Sequence, residues 1–397
     1  MSPPPVYRTP ALDPVETEVL RLIDGLRDDL RHRVAQPRRW LGTLRRTTFA
    51  RAVQGSNSIE GYNASLDDVA AAVADEPTLD ASVETQLALA GYRDAMTYVL
   101  QVAEDEHAEI DEGMIKALHF MMLKHDLAKS PGRWRPGYIG VRNDATGQIV
   151  YEGPDADSVG ELVDSMLVDT LREDDSPTLV RAAMAHLNLV MIHPFRDGNG
   201  RMARCLQTLV IARDRINAPV FSSVEEYLGR NTQAYYDVLA AVGQGGWHPE
   251  HDARPWIRFM LRAHYRQAKT HLRRIEEIER LYAECSELAA AHRLPERCAA
   301  GLSDIALGLR LRRNSYRSVV ESSAGEEISG LTATRDLQAM VRAGLLLPRG
   351  ETRGRYYVGS PSILAVRAAI RADRPPRDDY DPFVAAEREL QLSLDTG

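Results

Sequence analysis

The chain is 397 residues long, 44% hydrophobic and 27% charged, with a formal charge of −8 from 49 Lys and Arg against 57 Asp and Glu. This length and mixture exclude a peptide-sized scaffold and a disordered chain, and the acidic balance argues against a surface devoted throughout to nucleic acid. Cys205, Cys285 and Cys298 make neither a disulfide framework nor a close thiolate cluster, and neither a secretory leader nor a long apolar span is evident, so the expected location is cytoplasmic, without a membrane.

After a proline-rich start, Asp13, Pro14 and Glu16 supply a cap, a first-turn proline and a capping-box carboxylate for a helix running toward Arg31. A second helix is expected to end at Glu60-Gly61, and the Ala-, Leu- and Glu-rich text from Ser65 to about Glu106 predicts two or three more. From Lys129 the texture changes: Pro131, Gly132, Pro136, Gly137 and Gly140 break helices. Tyr138, Ile139 and Val141, then Gln148 to Tyr151, read as two extended pieces around a turn at Asn143 to Gly147, a small hairpin in helical surroundings. Helical text resumes over Val159 to Leu171, Thr178 to Val190 and Arg201 to Asp214, and continues to about Ala291. Within it, His271 to Arg280 reads as a solvated connecting helix with Leu272, Ile275 and Ile278 on one stripe.

The chemistry concentrates in His193-Pro194-Phe195-Arg196-Asp197-Gly198-Asn199-Gly200-Arg201-Met202-Ala203-Arg204, a turn held between two apolar helices. Gly198 and Gly200 allow unusual backbone angles and let a ligand approach the amides that open the second helix, an anion nest at its positive end. Arg201 and Arg204 lie three apart on the same face, and two cations there oppose the helix dipole at a cost of about 0.3 to 1 kcal/mol each where exposed. A bound polyphosphate reverses that cost. Asp197 would repel phosphate unless a divalent ion lay between, which makes it a candidate Mg²⁺ ligand, and His193 is a candidate general base. Taken singly, each of these residues is more often structural: a packed histidine, a surface ion pair, a plain turn. The GxxxxGKS and strand-following GxGxxG signatures are absent.

These twelve residues resemble the signature of the Fic family: HPF, any residue, Asp or Glu, GNGR, two residues, Arg. The resemblance implies a mainly α fold, a Fic-type helical core with a small β-hairpin flap, that transfers AMP from ATP to a protein Ser, Thr or Tyr. It makes His193 the base toward the target hydroxyl and Asp197 the Mg²⁺ ligand. Gly198, Asn199 and Gly200 become the anion hole, Arg201 a phosphate contact, and Arg204 the arginine that engages the γ-phosphate.

Upstream, Ser56-Asn57-Ser58-Ile59-Glu60-Gly61 resembles the family's inhibitory motif, in which Glu60 would pair with Arg204 and occupy the γ-phosphate's space. By resemblance, Glu60 could also assist removal of AMP. The Lys129 to Tyr151 hairpin is expected to be a flap that docks a protein substrate by main-chain pairing, with Ile139 and Val141 as clamp residues. Tyr235 and Tyr236 fall where relatives carry aromatics near the nucleotide pocket, with core packing as the alternative. His186 is read as a packed helix histidine, and His119 and His125 support no zinc site by spacing.

Near the C-terminus, a short helix at Leu302 to Leu309, a polar turn, a helix at Leu331 to Val341 and a basic hairpin through Tyr356 to Val358 resemble a winged helix-like domain. From Arg310 to Arg355, 9 basic residues face 5 acidic ones. Thr332, Thr334, Arg335, Arg353 and Arg355 are the residues expected at DNA, against the alternative of a partner-binding or dimerising module. The expected divisions are an N-terminal helical region over 1–64, a catalytic core over 65–270, a connecting helix over 271–295, the winged-helix-like domain over 296–362 and a charged, partly ordered tail over 363–397. The leading reading is a protein adenylyltransferase using ATP and Mg²⁺. The alternatives are AMP removal or transfer of another phosphate-linked group, and a nucleotide-sensing DNA-binding regulator; homodimerisation stays open.

Overall fold

The computed structural model describes residues 5–142, 146–172, 175–216, 218–351, 354–376 and 380–395. Helix α1 (Pro14–Ala35) starts at the expected capping box: Asp13 Oδ1 accepts from the Glu16 amide at 2.8 Å while Glu16 Oε2 accepts from the Asp13 amide at 2.9 Å. Helix α2 (Leu41–Ile59) ends at Glu60, where Gly61 takes the left-handed conformation, φ 83°, that favours a residue without Cβ. Helices α3 (Leu66–Val73), α4 (Val83–Val102) and α5 (Glu112–Leu123) follow, each opened by a Ser or Asp side chain that accepts a first-turn amide.

Strands β1 (Gly140–Arg142) and β2 (Ile149–Glu152) pair antiparallel, Val141 opposite Tyr151. The expected turn falls partly outside the described residues, at 143–145. Helix α6 (Val159–Met166) is shorter than expected because the segment continues as a π-helix over Leu167–Arg172. Helices α7 (Thr178–Ile192) and α8 (Asn199–Ala212) pack against each other and are buried along almost their whole length, so the turn between them is anchored on both sides. Helices α9 (Glu225–Arg230) and α10 (Thr232–Gly243) lead into α11 (Arg254–Ala291), which runs unbroken through 270/271. The solvated reading of His271 to Arg280 is corrected here: His271, Ile275, Glu277 and Ile278 are buried, because α11 lies against α1 and α2 instead of spanning open solvent.

Helix α12 (Cys298–Ala306), α13 (Arg313–Ala324) and α14 (Gly330–Arg342) precede the hairpin of β3 (Leu346–Arg349) and β4 (Tyr356–Gly359). Leu311 adds a bridge to Tyr357. The polar text read as a turn is thus α13, whose Tyr316, Val319 and Val320 carry a narrow apolar face that charged neighbours conceal. The charged tail contains two helices, α15 (Pro361–Ala372) and α16 (Pro382–Asp395), the latter packed on α1. One hydrophobic core joins the N-terminal helices to α11, and a second underlies α12 to α15. Among the described residues, no helix is long and apolar enough to cross a membrane.

Candidate active site

The α7–α8 turn is held from within. Asn199 donates from its side-chain nitrogen to Phe195 O at 2.9 Å and accepts from the Phe195 amide at 2.8 Å, closing the loop on itself. Its side chain is therefore spent on shape, leaving its backbone amide to face a ligand. Phe195 is fully buried, stacked on His119 at 3.6 Å between ring centroids and against Trp134 at 4.8 Å. Gly198 adopts φ 78° at the start of α8, where a side chain would also strike Leu123.

His193 caps α7 in the left-handed region, φ 51°. Its Nδ1 lies 3.1 Å from Val190 O, an acceptor only, so Nδ1 carries the hydrogen and Nε2 is left with a lone pair. Burial, and more weakly the Arg135 charge, holds its pKa below the ordinary histidine value, which keeps the ring neutral and basic.

Asp197 accepts from the Gly198 amide at 2.6 Å through Oδ1 and from Lys129 Nζ at 2.7 Å through Oδ2. Burial pushes its carboxyl up, but Lys129 and Arg201 outweigh that and leave it below the usual range, ionised and suited to a cation. Arg201 is 1% exposed, lies 5.2 Å over the Tyr62 ring, and its Nε and Nη1 have no hydrogen-bond partner. Arg204, also 1% exposed, donates to Ser56 Oγ at 2.8 Å, Ser56 O at 3.0 Å and Glu60 Oε1 at 2.7 Å, while its Nη1 is unpartnered. Burial lowers the pKa of Arg204, but the Glu60 charge overrides this and raises it. Orphaned donors in a buried site are costly unless an acceptor arrives, and three on two arginines beside a glycine-lined turn fit phosphate oxygens. With the Asp197 carboxylate adjoining, the residues present fit ATP with Mg²⁺.

A cavity of about 520 Å³, a size suited to a small-molecule ligand, opens over His193, Gly200 and Arg204, while Asp197 and Arg201 lie outside its lining. Glu60, His193, Gly200 and Arg204 line one side, Tyr235 and Tyr236 another, and Val141, Val150 and Tyr151 of the hairpin a third. Glu60 presses into the turn: a Cβ on Gly200 would come within 2.5 Å of Glu60 Oε1. Tyr235 is buried and bonds His186 Nε2 at 3.0 Å through its hydroxyl, whereas Tyr236 is 45% exposed and donates to Ile59 O at 3.1 Å. His186 is fully buried, as the packed reading requires, with burial lowering its pKa to about 3.

Three positioning residues escaped the sequence reading. His119 accepts from the Gly132 amide at 2.9 Å, so its other nitrogen donates to Asp197 O at 2.8 Å and ties Asp197 to α5. Lys129 marked only the edge of the hairpin, yet pairs with Asp197. Arg135, 4% exposed, donates to His193 O at 2.9 Å, Gly137 O at 2.7 Å and Pro154 O, while its amide donates to Pro194 O at 2.9 Å, stapling the hairpin to the α7–α8 turn. Nothing in the local text distinguishes these residues from surface cations; their burial depends on long-range packing. Ile139 accepts from the Gly153 amide, and Val141 lines the cavity. In the C-terminal unit, Arg335 and Arg355 are exposed, Thr332 and Thr334 half-buried, and Arg353 lies outside the described residues.

Residues 109–211 match the Fic/DOC family. The chain is similar to the protein adenylyltransferase fic-1 of Caenorhabditis elegans, 29% identical over 261 residues that cover 64% of this chain and 47% of that protein. It is also similar to the protein adenylyltransferase Fic of Nematostella vectensis, 28% identical over 269 residues, 66% of this chain and 58% of that one. It thus spans about half the length of these relatives. Among solved structures, a Fic family protein from Desulfovibrio desulfuricans superposes with a TM-score of 0.57 at 23% identity, covering 89% of this chain and 98% of that one. Fic-1 from Caenorhabditis elegans gives 0.51 at 24%, covering 66% and 73%. The chain is therefore homologous to Fic-family adenylyltransferases and shares their mainly helical fold.

Proposed function

We propose that the Fic/DOC domain of this chain transfers AMP from ATP to a Ser, Thr or Tyr hydroxyl of a protein, and that Glu60 restrains it. The observation that carries this reading is the free Nε2 of His193 facing the same cavity as the partnerless donor of Arg204. His193 Nε2 takes the proton of the target hydroxyl as its oxygen bonds to the α-phosphorus. The bond from that phosphorus to the bridging oxygen breaks, and pyrophosphate leaves. Arg201, Arg204 and the Asn199 and Gly200 amides hold the phosphate oxygens, the Gly198 amide being taken by Asp197 Oδ1. Mg²⁺, held by Asp197, would supply charge neutralisation between that carboxylate and the phosphates. The hairpin's exposed edge and Val141 would align an extended substrate segment beside His193.

Glu60 occupies Arg204 and the space over Gly200 that the terminal phosphate needs. Glu60→Gly is expected to raise incorporation at least tenfold. Incubating wild type and variant with ATP labelled separately at the α- and γ-phosphates, then locating modified residues by mass spectrometry, tests both parts. Retained α-label with the mass of AMP supports the reading; γ-label alone would mean phosphorylation, and equal low incorporation by folded proteins would remove Glu60 as the restraint.

A further inference from the structure

Away from the transfer cavity, α2, α9, α11 and α15 enclose a second cavity, of about 90 Å³, walled by guanidinium groups. Arg51, Arg230, Arg273 and Arg274 project from the first three helices; Arg367 and Arg371, with Arg374 just beyond α15, close it from the other side. Two carboxylates hold six of these arginines. Glu226 pairs with Arg230 at 2.7 Å, with Arg274 at 2.8 Å and loosely with Arg51 at 3.9 Å. Glu277 pairs with Arg367 at 3.2 Å, Arg371 at 3.3 Å and Arg374. Six positive charges against two leave an excess of four.

Exposure makes the excess consequential, because the side chains of Arg51, Arg274 and Arg367 are only 14%, 11% and 15% exposed, so water does little to offset it. Burial first, then repulsion from Arg274, brings Arg51 down to about 9, and burial with Arg371 and Arg274 brings Arg367 down to about 10. Both stay protonated at neutral pH, so the site keeps its charge instead of shedding it. Arg51 Nε is buried without a hydrogen-bond partner. Each carboxylate is shared three ways, so neither neutralises the guanidinium groups it holds.

We propose that this cavity is a binding site for a small polyanion carrying two or more adjacent phosphate groups, which would complete the coordination that Glu226 and Glu277 begin. Guanidinium forks converging from four helices suit a compact cluster of phosphate oxygens, each fork able to engage two of them. The phosphates of a nucleic-acid duplex lie on a convex rod and do not reach side chains walled in at this depth. The ligand bridges the inhibitory helix α2 to α15, and the proposal stands independently of the transfer reaction.

The test uses the full-length chain carrying Arg201→Ala, which removes a phosphate contact in the transfer cavity, titrated calorimetrically with inorganic tripolyphosphate without Mg²⁺ at low salt. One-to-one binding is expected, weakened at least tenfold by adding Arg371→Gln and Arg374→Gln, whose side chains are more exposed than those of Arg51, Arg274 and Arg367 and whose loss leaves the fold intact by circular dichroism. A melting-temperature rise with tripolyphosphate, lost in the same variant, is the second readout. Absent binding, or binding unchanged by the two glutamine substitutions, would overturn the site. Displacement of tripolyphosphate by equimolar duplex DNA would overturn the assignment to a small ligand. Neither result touches α-label transfer by Glu60→Gly.

Discussion

His193 Nδ1 faces a backbone carbonyl at 3.1 Å, which fixes the tautomer before any substrate arrives. Its pKa lies below the ordinary value because burial disfavours the imidazolium, so the basic form survives to lower pH than a free imidazole would. In the Glu60→Gly background, the rate of AMP incorporation is expected to be flat near neutrality. It should fall as pH drops through a value below about 6.5, the unperturbed histidine pKa. An acid limb centred above that value would contradict the burial argument, and His193→Ala should remove incorporation while leaving ATP binding in place. The motif's order already named a candidate base, a candidate metal ligand and paired arginines, because residue type and spacing are local. The commitment of Asn199 to Phe195, and of Tyr235 to His186, follows only from their neighbours in space.

At the level of elements, the hairpin of β1 and β2 is positioned by an arginine. Arg135 reaches three carbonyls at once, and one of them is His193 O, so the edge that would receive a substrate segment and the base that would act on it share one anchor. Arg135→Ala is expected to slow transfer to a protein substrate on the order of 100-fold, the scale of an ångström's misplacement, with ATP affinity held. Parallel measurement of nucleotide binding and labelling rate separates this from collapse of the pocket. Capping residues and glycines made α1, the end of α2 and the hairpin legible. Helix α13 was not, since four of its first five residues, RNSYR, are polar and its apolar face is two or three side chains wide.

Across the whole molecule, the C-terminal unit is bolted to the N-terminal helices by buried charge. Arg310, 5% exposed, donates to Asp67 at 2.6 Å, Asp68 at 3.0 Å and Pro77 O at 2.8 Å. Asp68 is 1% exposed; burial raises its pKa, but the Leu79 and Asp80 amides and Arg310 outweigh it and bring it below the usual range. Arg310→Met leaves that carboxylate with the Leu79 and Asp80 amides but no countercharge, and a loss of about 3 kcal/mol is expected from denaturant unfolding. Because the folded pKa of Asp68 is depressed, its contribution is complete above the unfolded value and fades as pH falls through the folded one. The wild-type margin over Arg310→Met should therefore shrink in acid. A margin independent of pH would show that Arg310 acts through packing alone.

By itself the sequence determined the helical class, the hairpin's place and the twelve-residue turn proposed to hold phosphate, because helix caps, glycine turns and ordered functional groups are local. The Glu60 to Arg204 contact, expected from the resemblance of Ser56 to Gly61 to an inhibitory motif, spans 144 positions, whereas tertiary structure alone decided that Lys129 and His119 face Asp197 and that the arginines of α2, α9, α11 and α15 surround a common cavity. Charge pairing and burial depend on distance in space, and charges spread over more than 300 residues of chain acquire their partners only when the helices pack. The turn between α7 and α8 was readable from its own text, whereas the second arginine-lined cavity takes shape only in the folded chain.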